Sequence, residues 1–277
     1  MSNYKKFYFL HIPKTGGRYV KTYILSQLRN KLNVIGTEER HSGWIKEIDE
    51  ETYLFSIIRE PVEFVCSLYA HIVSEKAGLL KLEVIESTMK ESLYDNVINI
   101  HLDKEYLFKW LQVNKWTYNM QSKHIINGST PGKNIIDNIV QKYQFTNDID
   151  KELLYTRLNS INTLIRQNSL YDPEVVVKKI SEDLNIKMAG ETQKDKSTFH
   201  NMASSNLYNS LTEKEKDYIR ELFSIDVEIY NNHNIFSQLD NVCSFCGRYA
   251  YTTEFDTTWK KYSFCVECIK SKEALIG

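Results

Sequence analysis

The sequence predicts an α/β fold, in which a parallel sheet is flanked by helices in three layers, followed by a small cysteine-rich module. Apolar runs of strand length alternate with longer segments of helical periodicity, and this alternation predicts the main domain. A shift in composition to cysteines, aromatic residues and threonines near the C-terminal end predicts the module. We expect a main domain over residues 1–238 and a second unit over residues 239–277.

The first two strand–helix units have the clearest patterns. Residues 7–12 form a short, apolar, aromatic-rich run that predicts a buried strand and ends at a proline. Two glycines follow, and apolar residues at helical spacing then predict a helix over residues 19–28. Residues 53–58 predict a second strand, and residues 62–74 its helix, with a proline suited to the first turn.

The later elements are predicted from weaker patterns. Residues 75–110 are charged and mostly helical in pattern, and we interpret them as an insertion over the sheet. A helix over 133–142 is expected to lead into a short strand over 143–146. The next predicted helix has an apolar side made of Leu153, Leu154, Leu158, Ile161 and Ile165. A capping-box spacing at 212–215 predicts the start of a long helix that ends near residue 232.

Composition limits the classes of function. The chain has 277 residues, of which 42% are hydrophobic and 26% charged, as in ordinary globular proteins with a full core. Its formal net charge is −1, so any anion-binding site must be local. We see no secretory leader before the first strand and no apolar run of about 18 residues that would span a membrane. A cytoplasmic protein with reduced thiols is therefore expected.

The loop after the first strand reads HIPKTGGR over residues 11–18. A loop between a strand and a helix presents free backbone N–H groups, and glycines let an anion approach them closely. Lys14 adds a positive charge where negative charge would develop on a departing phosphate, and Thr15 offers a hydroxyl donor. The alternative is a tight turn whose glycines serve geometry alone. The loop lacks the Walker A order, and the Gly-Lys at 128–134 is interpreted as a turn.

This loop resembles the 5′-phosphosulfate loop of the carbohydrate sulfotransferases related to heparan sulfate 2-O- and 6-O-sulfotransferases, which looks like HIPKTGGT. Residues 11–17 match, and Arg18 replaces the final threonine. The family's 3′-phosphate motif looks like RDPVxRxxS. It is matched here by Arg59, Pro61, Val62 and Ser67, whereas Glu60 replaces the aspartate and Phe64 the second arginine.

A third segment, RHSGW over residues 40–44, is similar to the HADW segment of the 6-O-sulfotransferases. The resemblance implies that His41 is the catalytic base. A neutral imidazole suits that role, because its ordinary pKa of about 6.5 lets it accept a proton near neutral pH. Trp44 is a candidate platform for a sugar ring. The alternative is a purely structural histidine.

The resemblance covers roughly residues 5–235, with weaker likeness at 114–120 and 226–230 that carries no assigned role. It implies a P-loop-like fold that transfers a sulfuryl group from PAPS (3′-phosphoadenosine 5′-phosphosulfate) to a hydroxyl, with a saccharide as acceptor. The implied donor-binding residues are Lys14, Thr15, Gly16, Gly17, Arg18, Arg59 and Ser67, and Lys14 also assists departure of the phosphate. Two alternatives remain: a phosphoryl-transferring nucleotide enzyme, and a non-catalytic nucleotide-fold protein whose C-terminal module binds a partner.

The C-terminal module carries the pairs Cys243-x-x-Cys246 and Cys265-x-x-Cys268, a spacing typical of a zinc ribbon. Four thiolates complete a tetrahedral Zn²⁺ site and leave no open position, so we expect a structural metal. Such ribbons also bind proteins or nucleic acid, but the mixed charges of this module argue against nucleic acid as the partner. Cys66, in the second predicted helix, is expected to be packed.

Overall fold

The main domain is built on a four-stranded parallel sheet with strand order β2-β1-β3-β4. The strands are β1 Lys6–Leu10, β2 Asn33–Ile35, β3 Thr52–Ile58 and β4 Thr163–Arg166. The structure, a computed structural model, describes residues 3–35, 42–73, 104–128, 135–143, 146–171, 173–188, 199–237, 239, 252–257 and 260–265. The predicted α/β class and parallel sheet are confirmed.

Helices cover the sheet between and after these strands. The first, α1, occupies residues 17–28 and contains a π-helical stretch, Val20–Leu25. The others are α2 Pro61–Val73, α3 Lys104–Val113, α4 Met120–Ile126, α5 Ile135–Tyr143, α6 Lys151–Asn159, α7 Pro173–Leu184, α8 Phe199–Ser210, α9 Glu213–Leu222 and α10 Ser224–Asn231. Short 3₁₀ turns lie at Lys115–Thr117, Gln167–Tyr171 and His233–Ile235.

Alternating side chains of the central strands divide the core into two clusters. Tyr8 and Leu10 of β1 face one side, where α2 to α6 and α8 to α10 pack. Phe7 and Phe9 face the other side, against α1 and α7. This alternation is what the pleat of a strand requires when both sheet faces are buried. The three predicted layers are therefore present.

The sheet has a topological switch point between β1 and β3. β1 pairs with β2 on one side and with β3 on the other, and the helices that follow β1 and β3 lie on opposite faces. In open parallel sheets a crevice forms outside the carboxyl ends of such a strand pair, and ligands bind there. The loop over 11–16 and the residue that follows β3, Arg59, both lie at this edge.

Two predicted elements are wrong in detail. Tyr143, expected in a strand, ends α5, and Thr146 lies in a segment without regular structure. The apolar set assigned to one helix is instead divided, because α6 ends at Asn159 and Ile165 lies in β4. Short apolar runs satisfy both helical and strand periodicity, and here pairing with β3 decides.

The last predicted helix is interrupted near its middle. The capping box is present, since the Thr212 hydroxyl accepts from the backbone N–H of Glu215 and the Glu215 carboxylate accepts from that of Thr212. The chain leaves helical geometry at Phe223, and α10 then runs to Asn231. The predicted end near residue 232 is thus correct, but it belongs to a second helix.

Near the C-terminal end, β5 Thr252–Thr257 and β6 Lys260–Cys265 form an antiparallel hairpin. Thr252 pairs with Cys265, so the chain enters β5 and leaves β6 at the same end of the hairpin. None of the helices within the described ranges combines the length with the apolar character that a bilayer span requires.

Candidate functional site

The loop after β1 has an unusual backbone. Lys14 has φ 64° and Gly16 has φ 103°, both in the left-handed region. Such conformations are costly for residues with a Cβ, and they cluster where a loop is shaped for binding. Thr15 is fully buried, and its hydroxyl donates to the carbonyl of Ile12 at 2.8 Å. In this conformation the hydroxyl closes the loop, so binding a phosphate would require it to exchange this partner.

Gly17 is required by close packing. A Cβ added there would lie 1.8 Å from Nε2 of His11, so a side chain at this position would enter the imidazole ring. The ring itself is stacked on Phe9 with centroids 5.0 Å apart. The start of α1 therefore packs directly against the His11 ring, and this close contact explains the second glycine of the motif.

Arg59 lies directly after β3, and its side chain reaches the loop. The guanidinium Nη1 donates to the carbonyl of Lys14 at 3.2 Å. The carboxylate of Glu63, in the first turn of α2, lies 3.5 Å from Nε, which is longer than a strong hydrogen bond. The backbone N–H and C=O of Arg59 are both bound by the side-chain amide of Gln121, at 2.8 and 2.9 Å.

The electrostatics of Lys14 differ from those of a surface lysine. Burial, together with the nearby charges of Arg59 and Arg18, lowers the pKa of its ammonium to about 8. Within the described ranges, no carboxylate pairs with it. Three cationic side chains thus lie close together at the carboxyl end of β1, an arrangement that attracts an anion.

The two positions of this motif that differ from the family, Glu60 and Phe64, have structural explanations. Glu60, which stands in place of the family's aspartate, caps α2: its carboxylate accepts from the backbone N–H of Glu63 at 2.8 Å. Phe64 is fully buried in the apolar core. Ser67 lies in the second turn of α2 and is 5% exposed, and Cys66 beside it is buried, as expected. Burial raises the pKa of the Cys66 thiol to about 12.

The segment that follows the candidate base is fixed to the end of β1. The Ser42 hydroxyl donates to the carbonyl of Phe9 at 2.9 Å and accepts from the backbone N–H of His11 at 3.0 Å. The backbone of Trp44 forms a β-bridge just beyond the end of α4, where the backbone N–H of Trp44 donates to the carbonyl of Asn127 at 2.9 Å. His41 itself lies outside the described residues.

The Trp44 ring has a cationic neighbour. The guanidinium of Arg157 lies 4.8 Å from the ring centre and donates to the carbonyl of Ile125 at 3.0 Å. A sugar platform needs an open ring face, and this one is shared with a guanidinium. Arg157 was not expected near Trp44, because more than a hundred residues separate them in sequence.

The candidate metal ligands are described only in part. The backbone of Cys265 ends β6, whereas Cys243, Cys246 and Cys268 lie outside the described residues. Within those residues, no three His, Cys, Asp or Glu side chains gather as a metal site would require. The hairpin register nevertheless suits a ribbon, because both of its outer ends lie together.

Comparisons with family models, with curated proteins and with solved structures found no match for this chain. The function is therefore argued from the residues and their geometry.

Proposed function

We propose that this protein transfers a sulfuryl group from PAPS to an acceptor hydroxyl, with a saccharide as the acceptor. One observation carries the proposal: at the carboxyl ends of β1 and β3, where the sheet has its switch point, the Arg59 guanidinium binds the backbone carbonyl of Lys14 and lies close enough to act on the charge of the Lys14 ammonium. A pair of cationic groups in such a crevice suits a nucleotide with two separate phosphate groups.

The proposed reaction has simple chemistry. The acceptor oxygen forms a bond to sulfur while the bond from sulfur to the 5′-phosphate oxygen breaks, and the electron pair leaves on 3′,5′-diphosphoadenosine. Lys14 and the loop N–H groups stabilise the charge that grows on the departing phosphate. Arg59, with Ser67 as a further donor, binds the 3′-phosphate and holds the nucleotide in line.

His41 is proposed to take the proton from the acceptor hydroxyl. This role rests on the resemblance of residues 40–44 to the 6-O-sulfotransferase segment. It is supported by Ser42, the next residue in the chain, whose side chain is hydrogen-bonded at the carboxyl end of β1 beside the loop. A neutral imidazole can accept the proton as the acceptor oxygen attacks sulfur.

The direct test is incubation with radiolabelled PAPS and a panel of saccharides, peptides and small alcohols, followed by mass measurement of the products. We expect sulfate to be added to a saccharide, and His41→Ala to abolish turnover with little change in nucleotide affinity. Unchanged turnover in that variant would remove His41 from the mechanism. Transfer from ATP with Mg²⁺ in a parallel reaction would favour the phosphoryl-transfer alternative, and nucleotide binding without turnover the non-catalytic one.

A further inference from the structure

A buried polar network joins segments that are distant in sequence, and it ends at Arg59. Its members, Asn119, Gln121, Ser122 and Asp226, are almost completely buried. Burying polar groups costs free energy unless each finds a partner, and a fully paired network holds its members in one geometry.

Two helix N-termini in this network cap one another. The Asn119 side-chain oxygen accepts from the backbone N–H groups of Ile225 and Asp226, at 3.0 and 3.2 Å. In return, the Asp226 carboxylate accepts from the backbone N–H groups of Gln121 and Ser122, at 3.1 and 2.9 Å, and from the Ser122 hydroxyl. First-turn N–H groups have no partner within their own helix, so α4 and α10 each supply what the other lacks.

Gln121 connects this network to the end of β3 through its side-chain amide. β4 pairs with β3 as far as Ile58, which is opposite Arg166. At the next residue, Arg59, the Gln121 amide binds both backbone groups, as a neighbouring strand would. The backbone of Arg59 is thereby held beyond the last strand pair, and its guanidinium contacts the carbonyl of Lys14.

We propose that Gln121 is a positioning residue for Arg59, and that the reciprocal caps of Asn119 and Asp226 hold Gln121 in place. The consequence for the 3′-phosphate rests on the proposed function, whereas the effect on Arg59 itself does not. An arginine whose backbone is already fixed loses less conformational entropy when it binds a phosphate.

The first test compares two nucleotides. Gln121→Met keeps the length and bulk of the side chain and removes both hydrogen bonds to Arg59. We expect its affinity for 3′,5′-diphosphoadenosine to fall about tenfold. Affinity for adenosine 5′-monophosphate, which lacks the 3′-phosphate, should change less than about twofold. Isothermal titration calorimetry gives both values.

The matched control is Asn162→Leu. The Asn162 amide binds the backbone N–H of Leu54 at 2.7 Å, near the other end of the same strand. Leu54 is five residues from Arg59, or roughly 16 Å along a strand. This variant should leave both affinities unchanged. Equal losses of affinity for both nucleotides in Gln121→Met would mean that the hydrogen bonds between Gln121 and Arg59 serve folding alone. No loss of affinity would mean that Gln121 does not contribute to the site.

The second test needs no ligand. The NMR resonance of the Arg59 Nε–Hε group reports the order of the side chain. We expect this resonance to shift, and the side chain to become more mobile, in Gln121→Met but not in Asn162→Leu. Asn119→Ala, which removes one cap and leaves Gln121 in the chain, should act in the same direction with a smaller effect. An Arg59 resonance that is unaltered in a folded variant would overturn the inference. If the wild type shows no preference for the 3′-phosphate, the proposed function fails, while this resonance still decides the positioning role.

Discussion

Lys14 is a lysine whose charge can be titrated near neutral pH, because burial and two neighbouring guanidinium groups lower its pKa to about 8. A bound anion stabilises the protonated ammonium, so binding and protonation favour one another. Below the pKa that Lys14 has in the free protein, the lysine is already charged and anion binding needs no proton uptake. Above it, binding must also take up a proton.

We therefore expect the affinity for 3′,5′-diphosphoadenosine to be nearly constant between about pH 6.5 and about pH 7.5 and to fall by about tenfold by about pH 9. Lys14→Arg keeps its charge throughout this range, so its affinity should stay level. Lys14→Gln should bind weakly at every pH, whereas Lys214→Gln, at an exposed position in α9, should behave as wild type. The same decline in Lys14→Arg would assign the titration to another group.

Gly17 offers a test of the loop's shape that is independent of charge. Gly17→Ala places a Cβ inside the His11 ring, so we expect lower thermal stability and an affinity for 3′,5′-diphosphoadenosine reduced about tenfold or more. His11→Ala removes the obstacle, and the double variant should recover much of the loss that Gly17→Ala causes alone. Losses that simply add in the double variant would contradict the packing explanation.

At the residue scale, the sequence was informative where the chemistry is local. Lys14 and Arg59 each follow a strong strand signal, and the parallel sheet brings the ends of both strands to one edge. Gln121 could not be found in this way, because its partner lies 62 residues away and nothing in its own neighbourhood marks it as buried. Asp226 was missed for the same reason, being more than a hundred residues from Gln121.

At the scale of elements, the contact between α4 and α10 has a pH dependence of its own. Burial raises the pKa of the Asp226 carboxyl to about 6, because desolvation outweighs the hydrogen bonds that favour its charged form. Folding therefore favours the protonated carboxyl. This contribution to stability is fully present below the unfolded pKa of about 4 and is lost as pH rises through about 6.

The free energy of unfolding of the wild type, measured against Asp226→Asn by denaturant titration, should therefore decline by about 2 kcal/mol between about pH 4 and about pH 6.5. Taking the difference removes the contributions of the titratable groups that the two proteins share. A difference that grows with pH would mean that the carboxylate's hydrogen bonds outweigh its burial.

The elements themselves were predicted unevenly. Strong runs such as β1 and β3 were correct, since a buried parallel strand is apolar throughout. β4 was not predicted as a strand, because Ile165 continues the apolar spacing of α6. Only the pairing of Leu164 and Ile165 with β3 shows that they belong to a strand. β2 was not predicted at all, since Asn33–Ile35 is three residues long and only partly buried.

At the scale of the whole molecule, the C-terminal hairpin raises the question of a metal. A unit of this size is too small to fold on hydrophobic burial alone. We expect the purified chain to contain about one zinc ion, and Cys265→Ser or removal of the metal with a chelator to unfold the module. Elemental analysis together with limited proteolysis would show both. Metal-free protein with a protease-resistant C-terminal unit would contradict the four-thiolate assignment.

In the proposed function, Lys14 and Arg59 bind different phosphates of one nucleotide. Calorimetry with 3′,5′-diphosphoadenosine, and with analogues that lack either phosphate, tests this directly in the wild type, Lys14→Gln and Arg59→Gln. We predict that removing the 5′-phosphate costs little further affinity in Lys14→Gln, and that removing the 3′-phosphate costs little in Arg59→Gln. No measurable heat with the wild type, or equal sensitivity of both variants to both phosphates, would contradict it.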